Sequence, residues 1–455
     1  MDAIVKFAEH VATTGFDDIP ESAITAAETL ILDTVGVGIG GSSGPMAEDL
    51  AAAQALNGSG SDAHVWSLGM RLPASAAAQC NAYQVHNSEF DCVHEEAVAH
   101  VLSAIVPACV AHAERTGGID GRRFIEAVVL GVDVASNLGV AATSGLRFFR
   151  PATVGAFGAA AALAKLMGFD AARTTHALSL AYGQVSGTMQ AHEEGSMLLA
   201  MQLGFNTRNA VIACDLAARG FTGPQNILEG RFGYFGLIEE SGDIQSELAT
   251  LGNNWRIEEV AHKPFPSGRA THGVLDGCLV LQQRHDIDPD NIAKITAIVP
   301  PLIEQLVGRP YRPDMELNYA RLCVPYVAAR ALIRGTIDLG DFNATAYQDA
   351  ATRRLAEQVS ITVRDGDPPN ALTPVDVTMT LADGTEFSHH VDAVYGSPRN
   401  PFARDGQVAK FHANCQAARH RIAQDQAAQL INRLSDLRNV ADVAELVPLM
   451  IAPNA

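Results

Sequence analysis

The chain has 455 residues, of which 47% are hydrophobic and 18% are charged, and its formal net charge is −19. A chain of this length and apolar content can bury a large core, and we expect two domains. The acidic charge is spread along the sequence and the basic residues are not clustered, which argues against nucleic acid or membrane partners. The start of the chain has no signal-peptide pattern, so we expect a cytoplasmic protein.

Apolar residues recur at helical spacing in the first part of the chain, up to about residue 260. Alanine and glycine are frequent there, and small residues allow helices to approach closely, which predicts a compact helical domain. The clearest segments are ESAITAAETLILDTVGVGIGG, GRRFIEAVVLGVDVASNLGVAA, ATVGAFGAAAALAKLMG and NTRNAVIACDLAARG.

Strand-like runs replace the helical pattern between about residues 290 and 393, and ADGT forms a hairpin turn between the last two runs. After YGSPRNPF the pattern is helical again, so we expect the chain end to pack on the first domain. The predicted fold class is mostly α with an α+β insertion. A discontinuous helical domain would comprise residues 1–263 and 394–455, and a smaller α+β lid domain residues 264–393.

A glycine-rich stretch, GVGIGG at 36–41, has the G-x-G-x-x-G spacing of a dinucleotide-binding loop. The functional motif follows a strand within a βαβ unit, and no strand pattern precedes these glycines. We therefore expect the stretch to serve helix packing or to end a helix.

The cysteines are scattered and never spaced as C-x-x-C, which argues against a disulfide framework, a zinc ribbon and a cysteine-held iron–sulfur cluster. We expect most of them to be small buried apolar groups. They are Cys80, Cys92, Cys109, Cys214, Cys278, Cys323 and Cys415.

Residues 86–100, HNSEFDCVHEEAVAH, concentrate histidines and carboxylates in an otherwise apolar region. His94 and His100, together with Glu89 and Asp91, could exchange protons near neutral pH once burial tunes them. A zinc or iron site is the rival interpretation, but no H-E-x-x-H or similar ligand spacing is present, so we expect no metal. The remaining polar groups, His86, Glu95 and Glu96, are expected to be solvated or helix-capping.

Several motifs in order resemble the MmgE/PrpD family over almost the whole chain. They are HNSEFD, FFRPATVGAFGAAAALAKLMG, EGSMLLAMQLGFNTRNAVIACDLAARGFTGP, KPFPSGRATHG, VPYVAARALIRG and YGSPRNPF. The family includes 2-methylcitrate dehydratase, cis-aconitate decarboxylase and iminodisuccinate epimerase. The resemblance implies a helical domain built from both chain ends, an inserted α+β lid, a homodimer, and cofactor-free chemistry on small polycarboxylates in the cleft between the domains.

The family's site residues match this sequence only in part. Glu89 and Asp91 match its acidic pair, whereas Cys92 replaces a following aspartate. The histidine before the long helix corresponds to His100, or to His94 if the longer CVHEEAVAH segment shifts the register. Lys263 and Tyr326 match directly.

Two family positions are replaced in this sequence. Arg150 replaces a histidine, and Leu199 replaces a lysine. A guanidinium cannot take a proton near neutral pH but can anchor a carboxylate by two hydrogen bonds. These replacements argue against a straightforward cis-aconitate decarboxylase or 2-methylcitrate dehydratase and favour a sibling activity.

The resemblance gives each remaining residue a role. We expect His100 to act as base or acid, Lys263 as an electrostatic clamp or second base facing the same pocket, and Tyr326 as proton donor. Arg150 and Arg269 would hold substrate carboxylates. A structural role is the alternative for Arg269, and buried packing is the alternative for Tyr326.

Further substrate-binding candidates are His94, His192 and His272, of which the last two could equally be capping or hinge residues. The predicted activity is a lyase, most simply a dehydratase that eliminates water beside a carboxylate. An isomerase or epimerase with two bases is the alternative, followed by a decarboxylase and by a non-catalytic binding protein.

Overall fold

The computed structural model describes residues 2–453, which divide into two compact units. The first contains residues 2–189, 198–262 and 403–453, and the second contains Gln190–Met197 and Lys263–Phe402. The predicted fold class, mostly α with an α+β insertion, is confirmed.

Most of the described chain is helical, with short strands in its first half and a four-stranded sheet in its second half. In chain order the helices are α1 (Ala3–Thr13), α2 (Glu21–Gly41), α3 (Ala47–Ala55), α4 (Ala74–His86), α5 (Leu102–Thr116), α6 (Gly121–Val140), α7 (Arg150–Leu166), α8 (Ala171–Tyr182), α9 (Gln190–Glu194), α10 (Leu198–Ala218), α11 (Tyr234–Leu237), α12 (Ile244–Leu248), α13 (Arg269–His285), α14 (Pro301–Val307), α15 (Leu317–Arg321), α16 (Val324–Arg334), α17 (Ala344–Tyr347), α18 (Ala350–Ala356), α19 (Arg404–Ala417) and α20 (Gln424–Leu434). The strands are β1 (Ala63–His64), β2 (Arg71–Leu72), β3 (Val93–His94), β4 (Val260–Ala261), β5 (Ile292–Val299), β6 (Val359–Val363), β7 (Val375–Leu381) and β8 (Glu386–Val391).

The second unit is organised by a four-stranded sheet in the order β6-β5-β7-β8. β5 pairs in parallel with β6 and antiparallel with β7, and β7 and β8 form the predicted hairpin. Residues on one face of β7, such as Val375 and Val377, are fully buried and pack against Gly273 and Gly277 of α13. Glycine at those positions lets the helix lie close to the sheet, because a Cβ would contact the valine side chains.

The boundaries of the second unit differ from the predicted 264–393. The unit extends to Phe402. The guanidinium of Arg269, at the start of α13, donates to the carbonyl of Tyr395, so the residues that follow β8 are bound to this helix. The segment Gln190–Met197 also belongs to this unit. Arg309 donates to the carbonyl of His192 and Asn318 to that of Ser196. Such contacts are made across the fold and leave no trace in local periodicity.

The glycine-rich stretch at 36–41 lies inside α2, which confirms the helix-packing prediction. A Cβ at Gly36 would lie 2.6 Å from the Phe411 ring, and one at Gly38 would lie 2.6 Å from the Trp66 ring. α2 is long and apolar enough to cross a membrane, but 83% of its most apolar window is buried inside the protein. Burial of this extent is typical of a core helix.

All the cysteines are unpaired and buried, as predicted for apolar core groups. Burial raises the pKa of Cys80 and of Cys278 to about 12, so these thiols stay protonated at neutral pH.

A short antiparallel ladder brings two distant motifs together in the first unit. β3 pairs with β4 in the register Val93↔Ala261 and His94↔Val260. β3 directly follows the acidic segment SEFDC, and β4 directly precedes His262. The ladder therefore fixes the chain on both sides of the candidate site.

Candidate active site

The turn after α4 carries the two acidic residues predicted for the site. Asn87 directly follows the last residue of α4, and its side-chain amide donates to the carbonyl of Gly41 at 2.8 Å. The backbone N–H of Glu89 donates to the carbonyl of His86 at 3.1 Å, and Glu89 has a φ of +52°. This left-handed conformation is unfavourable for a residue with a Cβ and persists only where the surroundings hold it. These contacts therefore hold the turn that carries Glu89 and Asp91 in one conformation.

Asp91 is the centre of a buried polar cluster. Its Oδ2 lies 2.9 Å from Nδ1 of His86 and 3.2 Å from Nδ1 of His100. Ser103, in the first turn of α5, donates its hydroxyl to the same oxygen at 2.5 Å. The two imidazole rings are 4.7 Å apart between centroids. We call His86, Asp91, His100 and Ser103 the Asp91 cluster.

The geometry around His100 sets the position of its proton. Its Nδ1 lies 3.2 Å from the carbonyl oxygen of Cys92 and 3.2 Å from Oδ2 of Asp91, and both are acceptors. In the neutral ring the proton is therefore on Nδ1 and the lone pair on Nε2. A carboxylate that fixes the tautomer and stabilises the imidazolium prepares a histidine to take up and return protons.

Exposure distinguishes His100 from the other members of the cluster. Its side chain is 12% exposed, whereas those of His86 and Asp91 are 1% and 0% exposed. Glu89 lies on the far side of His86, with Oε1 3.7 Å from Nε2. His100 is thus the member that a bound molecule can reach, and the others support it from the interior.

The structure brings together Glu89, Asp91 and His100 as predicted candidates, and it adds His86 and Ser103. His86 was predicted to be solvated or capping, and the solvated alternative is wrong because the residue is only 2% exposed. The sequence signal that could have indicated this contact was the position of His86, five residues before Asp91 and at the end of a helix.

His94 belongs to a different network. Its Nδ1 accepts the N–H of Ala97 at 3.2 Å, so Nε2 carries the proton and donates to Oε2 of Glu259 at 2.8 Å. Glu259 also accepts from Arg256 at 2.8 Å and from Asn254 at 2.9 Å. With both nitrogens engaged in this way, His94 holds the 94–99 turn.

The Glu259 carboxyl has a strongly perturbed pKa. Burial alone would raise it, but hydrogen bonds from His94, Arg256 and Asn254 lower it to about 2. Arg256 extends this network inward, because its backbone N–H donates to Asp133 at 3.0 Å and its Nε to Asn137 at 2.9 Å. The network fixes β4 and the turn that precedes His100.

Arg150 was predicted to hold a substrate carboxylate, but in the structure it holds a carboxylate of the protein. The side chain is 0% exposed at the start of α7, with Nε and Nη2 at 2.9 Å and 2.8 Å from the two oxygens of Glu239. Tyr234 donates to the same carboxylate at 2.8 Å, and burial followed by the charge of Glu239 raises the pKa of this phenol. The arrangement favours a structural role.

In the second unit, Arg269 and His272 hold the start of α13. Arg269 donates to the carbonyl oxygens of Tyr395 at 2.8 Å and Val394 at 3.3 Å, which favours the structural alternative. His272 is fully buried, 3.2 Å from the carbonyl of Ser267 through Nε2 and 3.3 Å from Arg269 through Nδ1.

Two further candidates of the second unit are engaged with their neighbours. His192 lies in α9 with its Nδ1 3.4 Å from Nη2 of Arg309. Tyr326 is fully buried between the rings of Phe342 and Tyr347, and its hydroxyl donates to the carbonyl of Asp341. Burial raises the pKa of this phenol. These contacts favour the packing alternative for Tyr326.

Lys263 begins the longer segment of the second unit, Lys263–Phe402, and is fully buried. It directly follows His262 at the end of the β3–β4 ladder. Leu199, which replaces the expected lysine, is buried in α10.

The Asp91 cluster could also hold a metal ion. Ligand atoms of His86, Asp91 and His100 all lie within 4.8 Å of one another, and two imidazoles with a carboxylate are a donor set that zinc or iron accepts. A bound metal would take the place of the protons that the two Nδ1 atoms direct at acceptors. Proton relay and metal binding are thus alternative uses of the same atoms.

Comparisons with known proteins agree with the resemblance found in the sequence. The chain matches the family model of the MmgE/PrpD N-terminal domain over residues 5–247 and that of the MmgE/PrpD C-terminal domain over residues 265–437. It is 27% identical to cis-aconitate decarboxylase of Mus musculus and 26% identical to that of Homo sapiens. These alignments cover 99% of this chain, and 93% and 94% of the relatives. The cis-aconitate decarboxylase-like protein oryM of Aspergillus oryzae is 26% identical over 95% of this chain and 94% of its own.

Proposed function

The chain belongs to the MmgE/PrpD family, and on that basis we propose that it is an acid–base lyase acting on a small di- or tricarboxylate. The observation that carries the proposal is the contact of Asp91 with Nδ1 of His100, which is the least buried member of the Asp91 cluster. Relatives that align over nearly the whole chain are named cis-aconitate decarboxylases, which supports a polycarboxylate substrate.

We propose elimination of water as the reaction. Nε2 of His100 takes a proton from a carbon beside a substrate carboxylate, and Asp91 stabilises the imidazolium that forms. The electrons of the C–H bond form the new C=C bond. The C–O bond breaks, and the hydroxyl group leaves as water after it receives a proton. The buried ammonium of Lys263 is our candidate for that acid and for holding a carboxylate.

Decarboxylation is the second candidate, because the relatives carry that name. In that reaction the imidazolium of His100 gives its proton to a substrate carbon, and the C–C bond to a carboxylate breaks with release of CO2. Both reactions share one proton transfer at carbon. An epimerase would use that transfer without breaking any other bond.

The test is a panel of hydroxylated di- and tricarboxylates and cis-aconitate, followed by proton NMR in D2O and by absorbance of the enoate. An unsaturated acid formed from a hydroxy acid supports the dehydratase, and loss of one carbon as CO2 supports the decarboxylase. Deuterium uptake without an alkene identifies an epimerase. Absence of both turnover and exchange across the panel contradicts the proposal.

We also propose that the protein acts as a homodimer, as the family resemblance implies. The first unit exposes the large apolar side chains of Phe221, Phe232 and Leu237, at 57%, 67% and 51%. Exposed apolar side chains of this size are typical of protein interfaces when they lie together. Light scattering of the purified protein tests the proposal, and a monomer at all concentrations would contradict it.

A further inference from the structure

A buried ion pair lies behind the turn that carries Asp91. Nζ of Lys410, in α19, is 2.8 Å from Oδ1 of Asp33, in α2, and both side chains are 3% exposed. The same ammonium donates to the carbonyl of Phe90 at 2.7 Å and lies 4.1 Å from the centre of the Phe90 ring. Lys410 thus joins the returning end of the chain to the turn after α4.

We propose that Lys410 is a positioning residue that holds Asp91 in place for proton transfer by His100, and that Asp33 holds Lys410. The catalytic part of this inference rests on the proposed function. The Phe90 carbonyl belongs to the peptide bond that enters Asp91. A hydrogen bond from a buried cation to this oxygen therefore fixes the peptide plane on which the Asp91 side chain is mounted.

The turn needs such an anchor because of its backbone. Glu89, one residue before Phe90, has a φ of +52°, a conformation that the surroundings must stabilise. Lys410 supplies both a charged donor and a cation over the aromatic ring, and each is stronger away from water. Its loss would let the turn relax and displace Asp91 from the two imidazoles.

Close packing of α2 against α19 brings Asp33 and Lys410 together. A Cβ at Gly36 would lie 2.6 Å from the ring of Phe411, and one at Gly40 would lie 2.3 Å from the side chain of Asn414. Glycine at these positions lets the two helices approach, which brings Asp33 within reach of Lys410.

Asp33 lies near a second basic side chain besides Lys410. Burial would raise its pKa, but Lys410 and His262 together hold the pKa below its usual value. Nδ1 of His262 lies 3.7 Å from the same Oδ1 that binds Lys410. The Asp33 carboxylate thus lies between Lys410, which contacts the turn that carries Asp91, and His262, which directly follows β4.

The critical test separates positioning from mere stabilisation. Lys410→Met alone would leave Asp33 buried without its ammonium partner and is expected to fold poorly. The double variant Asp33→Leu/Lys410→Met removes both charges, and apolar replacement of a buried pair is often neutral or stabilising. We expect the double variant to melt close to the wild type while kcat falls about 10- to 100-fold and KM changes little.

A second ion pair involving α2, the helix that carries Asp33, serves as the control. Arg438 contacts Glu28 of α2 at 2.8 Å and also ties the returning chain end to that helix, but neither residue donates to the Asp91 turn. Glu28→Leu/Arg438→Met is expected to keep the wild-type kcat. Lys410→Arg, which retains a charged donor, is expected to recover part of the rate. Wild-type kcat in a stably folded Asp33→Leu/Lys410→Met variant overturns the proposal.

A measurement that needs no substrate keeps this inference separate from the proposed function. In protein labelled with ¹⁵N-histidine, the Nδ1–H signals of His86 and His100 report their contacts with Asp91. We expect these signals to shift or broaden in Asp33→Leu/Lys410→Met and to stay unchanged in the control variant. Unchanged signals overturn the positioning role. Full turnover by His100→Gln, with altered signals in the double variant, would instead overturn the proposed function alone.

Discussion

Oδ2 of Asp91 lies 2.9 Å from Nδ1 of His86, in a cluster where both side chains are almost completely buried. The same oxygen is 3.2 Å from Nδ1 of His100 and accepts the hydroxyl of Ser103. A carboxylate shared in this way sets the orientation and the tautomer of both rings. The position of the protons in the cluster therefore depends on Asp91 more than on any other residue of it.

Replacing Asp91 by Asn tests that dependence. The amide is nearly isosteric but can present an N–H to the imidazoles, which would reverse the tautomer of His100 and leave Nε2 protonated. We expect kcat to fall by about 10²–10⁴, the range typical for loss of acid–base function. Ser103→Ala removes one donor without changing the tautomer and is expected to lower kcat much less. Equal rates for Asp91→Asn and Ser103→Ala would contradict this role.

The Arg150–Glu239 pair gives a prediction about stability. Arg150→Met leaves the Glu239 carboxylate buried without its guanidinium, and breaking such a pair typically costs about 3–5 kcal/mol. The double variant Arg150→Met/Glu239→Leu should recover most of that loss. Urea unfolding measures both variants. Because the fork of Arg150 is occupied by Glu239, we expect KM to be unchanged in the double variant; a large increase in KM would instead support the anchoring role predicted from the sequence.

Acid should weaken the His94–Glu259 network. The pKa of Glu259 is lowered to about 2 in the folded protein, below the usual carboxyl value. A depressed folded-state pKa gives stability that is complete above the unfolded pKa of about 4.3 and is lost as the pH falls towards 2. The side chain is 33% exposed, so we expect a contribution of only about 1 kcal/mol after solvent screening.

Melting temperatures of the wild type and Glu259→Gln between pH 7 and pH 3 test this prediction. The wild type should be the more stable protein at neutral pH, and the difference should shrink on acidification. A difference that stays constant with pH would show that the charge of Glu259 contributes nothing.

The helices and strands could be predicted from the sequence because their signals are local. The periodicity of AKITAIVPP and of the pair of runs around ADGT gave β5, β7 and β8, and the absence of a strand before GVGIGG placed the glycines in α2. The four candidates of residues 86–100, which are Glu89, Asp91, His94 and His100, also lie close together in the chain. Of these, Asp91 and His100 contact each other in the Asp91 cluster, and Glu89 lies beside its member His86.

The partners of the site residues could not be predicted, because they come from remote parts of the chain. Arg150 was interpreted as a substrate anchor since nothing near it in sequence indicated Glu239, 89 residues later. Glu259 is 165 residues from His94, and Lys410 is 320 residues from Phe90. Such pairs are decided by tertiary packing, and only His86 carried a local signal that was overlooked.

Chelation distinguishes the two uses of the Asp91 cluster. If His86, Asp91 and His100 share protons, activity should survive prolonged treatment with EDTA. Added Zn²⁺ should inhibit, because it would compete with those protons for the same three side chains. Loss of turnover in EDTA, followed by recovery with zinc or iron, would replace the proton-relay interpretation with a metal centre.

The most direct test compares two histidines of the same motif. His100→Gln and His94→Gln each remove one imidazole, and kcat and the melting temperature are measured for both once a substrate has been found with the panel. We predict that His100→Gln lowers kcat by about 10²–10⁴ with little change in melting temperature. His94→Gln should lower the melting temperature, because it removes the partner of Glu259, and should retain far more of the rate. Wild-type turnover in a folded His100→Gln protein would contradict the assignment of His100 as the proton-transfer residue.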